Sequence, residues 1–577
     1  MMTTRAASAP TWPLYAASEA VEQPLSSSRK MPIDFRRLSP LKAKPPAQTS
    51  APAAAGTLFG QAVALHLEGK VNEALAQIER ALEAGELHAE VYAAAGYLRY
   101  ENKQFEEAAA AYRKLVEIAP ENATGWFNLA ATLQALGKWD EAAAMFEKTL
   151  AADANRFEAH LGLGLSRLHQ GSARPALEAY ERCLRLVPHL EPAKLEPVLF
   201  GKAVALQLLR KISEAAEIYR KILEQSPRCE EALANSIAVH LELKDFPAAA
   251  GAAEQLLKIR PDSRAAHEGL AAAAFAAEDY ARAAAHCAAL VKVVPDAFEG
   301  WFNLGVALEK AGRPDAAKAY AEALRLRPND AELHINLGVA CQESGDKEKA
   351  KECYKRALEL DPNSSTALWN LGLVLEQEHS FADAEKLYSH LLDQAPDAPH
   401  AEDSRFRLGC LRLELGDFKG AAEAFDACLW KRKDWAEALL NTGIANWKLG
   451  EIDAAQDAFQ RCLAAQPHST EAMRALAAMA LERGRIEEAM DLHAKLIEAG
   501  ERSPEVLYNA GLLRQKSGQQ EQAAQLYREA LIAAPDFAEA LLNLGIALES
   551  LGQKDEAQAN WQKALTLKPE LARGYFQ

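Results

Sequence analysis

Trp301-Phe302-Asn303-Leu304-Gly305 returns along the chain as Leu368-Trp369-Asn370-Leu371-Gly372, as Leu541-Leu542-Asn543-Leu544-Gly545 and as Trp126-Phe127-Asn128-Leu129-Ala130. Twelve residues after the small residue that closes the last three stands Ala384, Ala557 or Ala142, and four further on an aromatic, Tyr388, Trp561 or Phe146. After Gly305 the alanine comes one residue early, at Ala316. Prolines such as Pro328, Pro396 and Pro569 close the unit, whose period is 34 residues. A fixed period of this length is the signature of a solenoid in which each unit packs on its neighbours.

Fifteen units begin at Ala55, Ala89, Ala123, Phe157, Glu196, Glu230, Arg264, Phe298, Ala331, Ser365, Glu402, Ala436, Thr470, Pro504 and Ala538. With five inserted residues at 191–195, three at 399–401 and one deleted in the eighth unit at 312–314, they account for all of 55–571. Within a unit, apolar residues at positions 4, 7, 8 and 11 share one helical face. Glycine follows near position 15, as at Gly137, Gly171, Gly312, Gly345, Gly450, Gly484, Gly518 and Gly552, and a second helix runs to the closing proline. An acid at position 2 is common. Asp296 with Glu299, Asn329 with Glu332, Asp434 with Glu437 and Asp536 with Glu539 match a capping box, which predicts a helix-start role for these acids.

Residues 1–54 do not repeat. They are rich in Pro, Ser and Ala and carry seven basic against three acidic residues, while the whole chain of 577 residues has a net charge of -16. The segment has no continuous apolar run of the kind a secretory signal needs and reads as a disordered or extended arm. At the other end, residues 572–577 form a stub without a full capping helix. This predicts an apolar patch at Trp561, Ala564 and Leu567, open to self-association or to a docking partner. The acidic balance argues against general nucleic-acid binding, and no apolar stretch is long enough to span a membrane. Eight cysteines without CxxC spacing read as reduced core thiols of a cytoplasmic protein. No metal-ligand spacing, Walker loop or nucleophile elbow is present, so neither cofactor nor metal nor enzymatic activity is expected.

Together the period and its fixed residues resemble the tetratricopeptide repeat, over about nine tenths of the chain. The resemblance implies an all-α, right-handed superhelical solenoid of about fifteen helix-turn-helix repeats, with position 6 of the first helix facing a concave groove. Position 6 is Asn in eight units: Asn128, Asn235, Asn303, Asn336, Asn370, Asn441, Asn509 and Asn543. Asparagine is a mediocre helix former, and its amide offers one acceptor and two donors to the main chain of an extended peptide. This resembles the asparagine ladder of the O-linked N-acetylglucosamine transferase repeats, without their catalytic domain. Gly60, Ala94, Gly162, Gly201, Gly269, Arg407 and Ala475 interrupt the ladder, and Asn303, Asn336 and Asn370 form its longest run. Aromatics at position 5, Phe127, Phe302, Trp369 and Tyr508, are either partner anchors or packing between adjacent first helices. The expected function is a non-enzymatic scaffold for protein or peptide partners, including basic segments, with the chain's own arm as one candidate occupant. The alternatives are a structural subunit joined through its ends and convex face, and a substrate-recruiting accessory of a separate enzyme such as a glycosyltransferase.

Overall fold

The computed structural model describes Lys42, Lys44, residues 57–187 and residues 191–574. Apart from the two lysines, the arm of 1–54 lies outside the described residues, as does the tail of the stub from 575. Among the described residues there are thirty α-helices and no strands, an all-α tetratricopeptide-type solenoid of paired helices. The first helix of a repeat usually has thirteen residues, as in Ala123–Ala135, Phe157–His169 and Ser365–Gln377. The second usually has fourteen, as in Trp139–Ala152 and Phe381–Gln394. The chain divides into two compact units, Met1–Arg327 and Pro328–Gln577. Repeats one to eight fall in the former and nine to fifteen in the latter.

The irregular stretches are absorbed locally. Four of the five residues at 191–195 lengthen a helix, Pro192–Leu208, to 17 residues, helped by a proline at its first position where no N–H is needed. Another of the irregular first helices begins at Ala401 and runs to Leu415. The deletion in the eighth repeat leaves a second helix of only 11 residues, Ala316–Leu326.

What holds most helix pairs together is a ring seated on a missing side chain. At Gly372 an added Cβ would stand 2.6 Å from Tyr388 Cε1. The same holds at Gly96 over Tyr112, Gly305 over Tyr320, Gly338 over Tyr354, Gly409 over Phe425, Gly443 over Phe459 and Gly545 over Trp561. Position 8 is small because the aromatic of position 24 occupies its space, and these tyrosines and phenylalanines are fully buried. The sixth repeat reverses the pair: Ile237 stands at position 8 and Ala253 at position 24, both fully buried in one apolar cluster. Four of the tyrosine hydroxyls find partners within their own repeat at position 12, while those of Tyr112, Tyr180 and Tyr388 are buried without one. Tyr219 donates to Gln207 Oε1 at 3.2 Å, Tyr354 to Gln342 Oε1 at 3.0 Å, Tyr527 to Gln515 Oε1 at 2.6 Å and Tyr320 to Glu309 Oε2 at 2.7 Å.

The turn between the two helices is left-handed at position 15 even where glycine is absent. Lys103, Arg210, Lys244, Glu278 and His379 hold φ between 56° and 61°, a region costly to residues with a Cβ. The geometry is set by the repeat and the residue complies.

Two expectations need correction. The capping boxes do not form: the residues at the cap positions are Ala297, Trp435 and Phe537, none of which accepts a cap bond. In the ninth repeat the cap is Asp330, bonded to the Leu333 amide, and not Asn329. The helix starts one residue later than the box requires, and two of the four acids, Glu299 and Glu539, form ion pairs instead. Nor do Trp561, Ala564 and Leu567 form one patch. Ala564 is fully buried, Trp561 is half-buried with its Nε1–H on the Leu542 carbonyl, and only Leu567 is exposed.

Gly372→Ala is expected to cost about 1–3 kcal/mol, because the ring beneath it cannot withdraw from a filled core. Gly251→Ala, in the middle of an exposed helix surface with nothing within 4 Å of the added Cβ, should stabilise by about 0.5–1 kcal/mol through helix propensity. Denaturant titration of the two variants checks both signs. Burial also pushes the imidazoles of His160, His169, His286, His400 and His493 below their ordinary 6.5. Below that value the unfolded chain binds protons that the folded chain does not, so stability is full above it and falls as the solution is acidified through it. The melting midpoint should therefore drop between about pH 7.5 and 5.5. His493 occupies position 24 opposite Ala477, as Phe146 does opposite Ala130, and His493→Phe should lessen the drop. A midpoint that is flat across this range would contradict the assignment.

Candidate functional site

Position 6 sits where two demands meet. Towards the preceding repeat it faces that repeat's position-24 ring. A Cβ on Gly162 would stand 2.3 Å from Phe146 Cζ, and one on Gly201 would stand 2.2 Å from Tyr180 Cζ. At Gly162 and Gly201 the ring thus leaves no room for a side chain, and at Gly269 it is Ile237 Cγ2, 2.6 Å from an added Cβ, that fills the space. Away from the ring, position 6 lies on the face along which successive first helices meet.

Asn128 shows what the amide does there. The Lys44 backbone N–H donates to Asn128 Oδ1 at 2.8 Å, and Asn128 Nδ2 donates back to the Lys44 carbonyl at 2.8 Å. One carboxamide therefore satisfies both peptide groups of a single residue 84 positions away, as a hydrogen-bonded partner does in an antiparallel ladder. The N–H can only donate and the carbonyl only accept, so the orientation of the amide is fixed by its partners. The Lys44 ammonium donates to Glu158 Oε1 at 2.7 Å and stands 5.8 Å from the centre of the Phe127 ring. Arg156 covers that ring at 4.4 Å and bonds Thr124 Oγ1 at 3.2 Å. Burial raises the Glu158 carboxyl, but the Lys44 ammonium and the nearby Arg156 outweigh it and hold the group below the usual range.

The other ladder residues divide by surroundings. Asn235 and Asn370 are buried, 1% and 6% exposed, whereas Asn303, Asn336, Asn441, Asn509 and Asn543 are half-buried. Asn543 Nδ2 is held by Tyr508 Oη at 2.9 Å and the Glu539 carbonyl at 3.1 Å, and Asn441 approaches Cys410 Sγ at 3.9 Å. Asn303, Asn336, Asn370 and Asn509 have no side-chain hydrogen bond among the described residues. Asn303 belongs to the first compact unit and Asn336 and Asn370 to the second.

The position-5 aromatics are packed. Phe127 is 1% exposed and Trp369 4%, so neither presents a free face. Phe127 meets Phe146 edge-on, while Trp369 stacks on His400 with Arg407 5.3 Å above it. Phe302 lies against Phe298 and Tyr320, and Tyr508 against Tyr527 and Phe537. The residue before the next first helix covers three of these rings, Arg156 on Phe127, His400 on Trp369 and Phe537 on Tyr508, a relation between neighbours that a single repeat does not display. Arg407, which breaks the ladder, is paired with Glu376 at 2.7 Å, so the eleventh repeat fills that place with its own cation.

Position 2, which reasoning from the sequence alone assigned to helix starts, carries ion pairs in several repeats. Glu158 holds Lys44, Glu299 pairs with Arg327 at 3.0 Å and Glu539 with Lys568 at 2.6 Å. The recurrence of basic residues near the end of the second helix was the available signal. The thiols offer no nucleophile: seven of the eight cysteines are buried, and burial raises Cys183 and Cys287 to about 12. No group of three His, Cys, Asp or Glu able to hold a metal exists among the described residues. No helix there is long and apolar enough to cross a membrane.

Comparison with known proteins agrees with this architecture. Tetratricopeptide repeat models match residues 68–123, 99–165, 238–292, 269–331, 406–455, 440–504, 504–537 and 538–571. A model of the middle TPR-like domain of cilia and flagella-associated protein 70 matches 301–413. Human DnaJ homolog subfamily C member 7 is 28% identical over 181 residues, 30% of this chain and 36% of that protein. The human protein O-mannosyl-transferase TMTC1 is 25% identical over 193 residues, 33% of this chain and 22% of its own. The matches thus span little more than a third of these relatives at most. Among solved structures, YrrB, described as a TPR protein with an unusual peptide-binding site, is similar at 21% identity and a TM-score of 0.25, over 39% of this chain and 97% of YrrB. The chain belongs to the tetratricopeptide repeat family.

Proposed function

We propose that the protein is a non-enzymatic interaction scaffold that takes extended partner segments on the face of its first helices, held by the main chain through the position-6 asparagines. The observation that carries this reading is the two-way pairing of Asn128 with both peptide groups of Lys44. A side chain that reads only N–H and C=O accepts many sequences, which suits a scaffold. Asn303, Asn336 and Asn509 carry the same amide, half-buried and with no hydrogen-bond partner from the array, and are the positions offered to other chains, while Asn370 also lacks such a partner but is only 6% exposed. The aromatics at position 5 shape this face from beneath. The chain's general acidity favours partners with basic segments.

A second reading, a structural subunit joined through its outer surface, draws on Trp430 and Ile532. They are 85% and 80% exposed, both at position 29 of their repeats and on a second helix, a place with no role in the helix-pair lock.

The groove reading is tested with an immobilised array of random 12-residue peptides probed with the full chain. Peptides that bind should lose about tenfold in affinity for each of Asn303→Ala, Asn336→Ala and Asn370→Ala that faces them, the worth of one to two hydrogen bonds. N-methylation at single peptide positions should abolish binding at some positions and leave others untouched. Helix content should not change. Binders indifferent to both the asparagines and N-methylation would remove the reading.

A further inference from the structure

The acids at position 2 identify a gap that the array does not fill by itself. In the eighth and fifteenth repeats the base that pairs with this acid comes from the end of the second helix of the same repeat, Arg327 and Lys568. The residue at that place in the fourth repeat is Val187. Arg156, whose charge also acts on Glu158, forms no ion pair with it and is engaged with the Phe127 ring and Thr124. Lys44 is consequently the one side chain among the described residues that forms an ion pair with Glu158. The Glu158–Lys44 pair and the Asn128 clamp lie on adjacent first helices and read the same residue, one its side chain and the other its main chain.

The sequence around Lys44 suits this site. Lys44 precedes Pro45, and a residue before proline is driven to extended backbone, the conformation in which one amide can meet both peptide groups. Pro45 and Pro46 have no N–H, so Lys44 is the last residue before them able to donate from its main chain. The arm of 1–54 also carries a net positive charge, seven basic against three acidic residues, over an acidic array.

We infer that Lys44 is a tethered occupant of a lysine-reading site formed by Asn128, Glu158 and the rim of Phe127, and that the partner of this site is an extended segment with a lysine in the Lys44 register, which must displace the arm to bind. This rests on the groove reading above and adds to it a ligand class and a built-in competitor. The array has two levels of selectivity. Asparagine alone accepts any extended chain, and asparagine with an unpaired acid on the next repeat selects lysine.

The test is the fluorescence anisotropy of a labelled peptide with the sequence of residues 40–48, titrated with the full-length chain and with full-length Lys44→Glu. A tethered competitor acts at an effective concentration of about a millimolar, so Lys44→Glu should bind the free peptide about tenfold or more tighter than the unaltered chain. A peptide with glutamate in the Lys44 place should bind neither, and should be taken up by Glu158→Lys. Equal affinity of the peptide for both chains overturns the tethered-occupant inference and leaves the groove reading standing. Peptide binding insensitive to the lysine-to-glutamate change overturns the lysine-reading site. Loss of binding in Asn128→Ala, with N-methylation at Lys44 equally damaging, supports the shared clamp, and failure of both together with the peptide array would remove the underlying reading instead.

Discussion

The structure depends on one steric relation, the seating of a position-24 ring in the space left by a missing Cβ at position 8. It brings the two helices of a repeat to the distance at which the ring is fully enclosed. In four repeats its hydroxyl then reaches the Gln or Glu at position 12. From the other side the ring abuts position 6 of the following repeat at Gly162 and Gly201, so there the same side chain sets both the spacing within a repeat and the room left at position 6 of the next.

This explains why the fold was open to reading from the sequence and the site only in part. The small residue, the alanine at 20 and the aromatic at 24 recur because each meets the same neighbours in almost every repeat, so their periodicity is the fold. The asparagines were visible for the same reason. The burial of Phe127 and Trp369 was not, because it depends on Arg156 and on His400, residues at the repeat junction that vary from unit to unit. The true use of the position-2 acids was hidden by a local pattern that fits a capping box equally well, and a single residue of helix start decides between them.

The pairing of Lys44 with Asn128 and Glu158 was the least legible feature, since it joins a segment without period to one with period. Nothing in the arm marks which repeat it meets. The absence of a base at Val187 marks it from the side of the array, but that absence has meaning only once Arg327 and Lys568 are known to serve the same place elsewhere. Charge complementarity between arm and array was evident; the address was not.

The reversed lock of the sixth repeat has a consequence for the history of the array. Tandem repeats grow and shrink by unequal exchange between copies, and such exchange is harmless when the recombined halves fit. A crossover that joined the first helix of the sixth repeat to a second helix from elsewhere would set Ile237 against a tyrosine. The reciprocal product would set a glycine against Ala253 and leave a void. Either product loses the fit of Ile237 on Ala253, so an exchange inside the sixth repeat costs core packing that an exchange between two repeats sharing the glycine-and-ring pair does not.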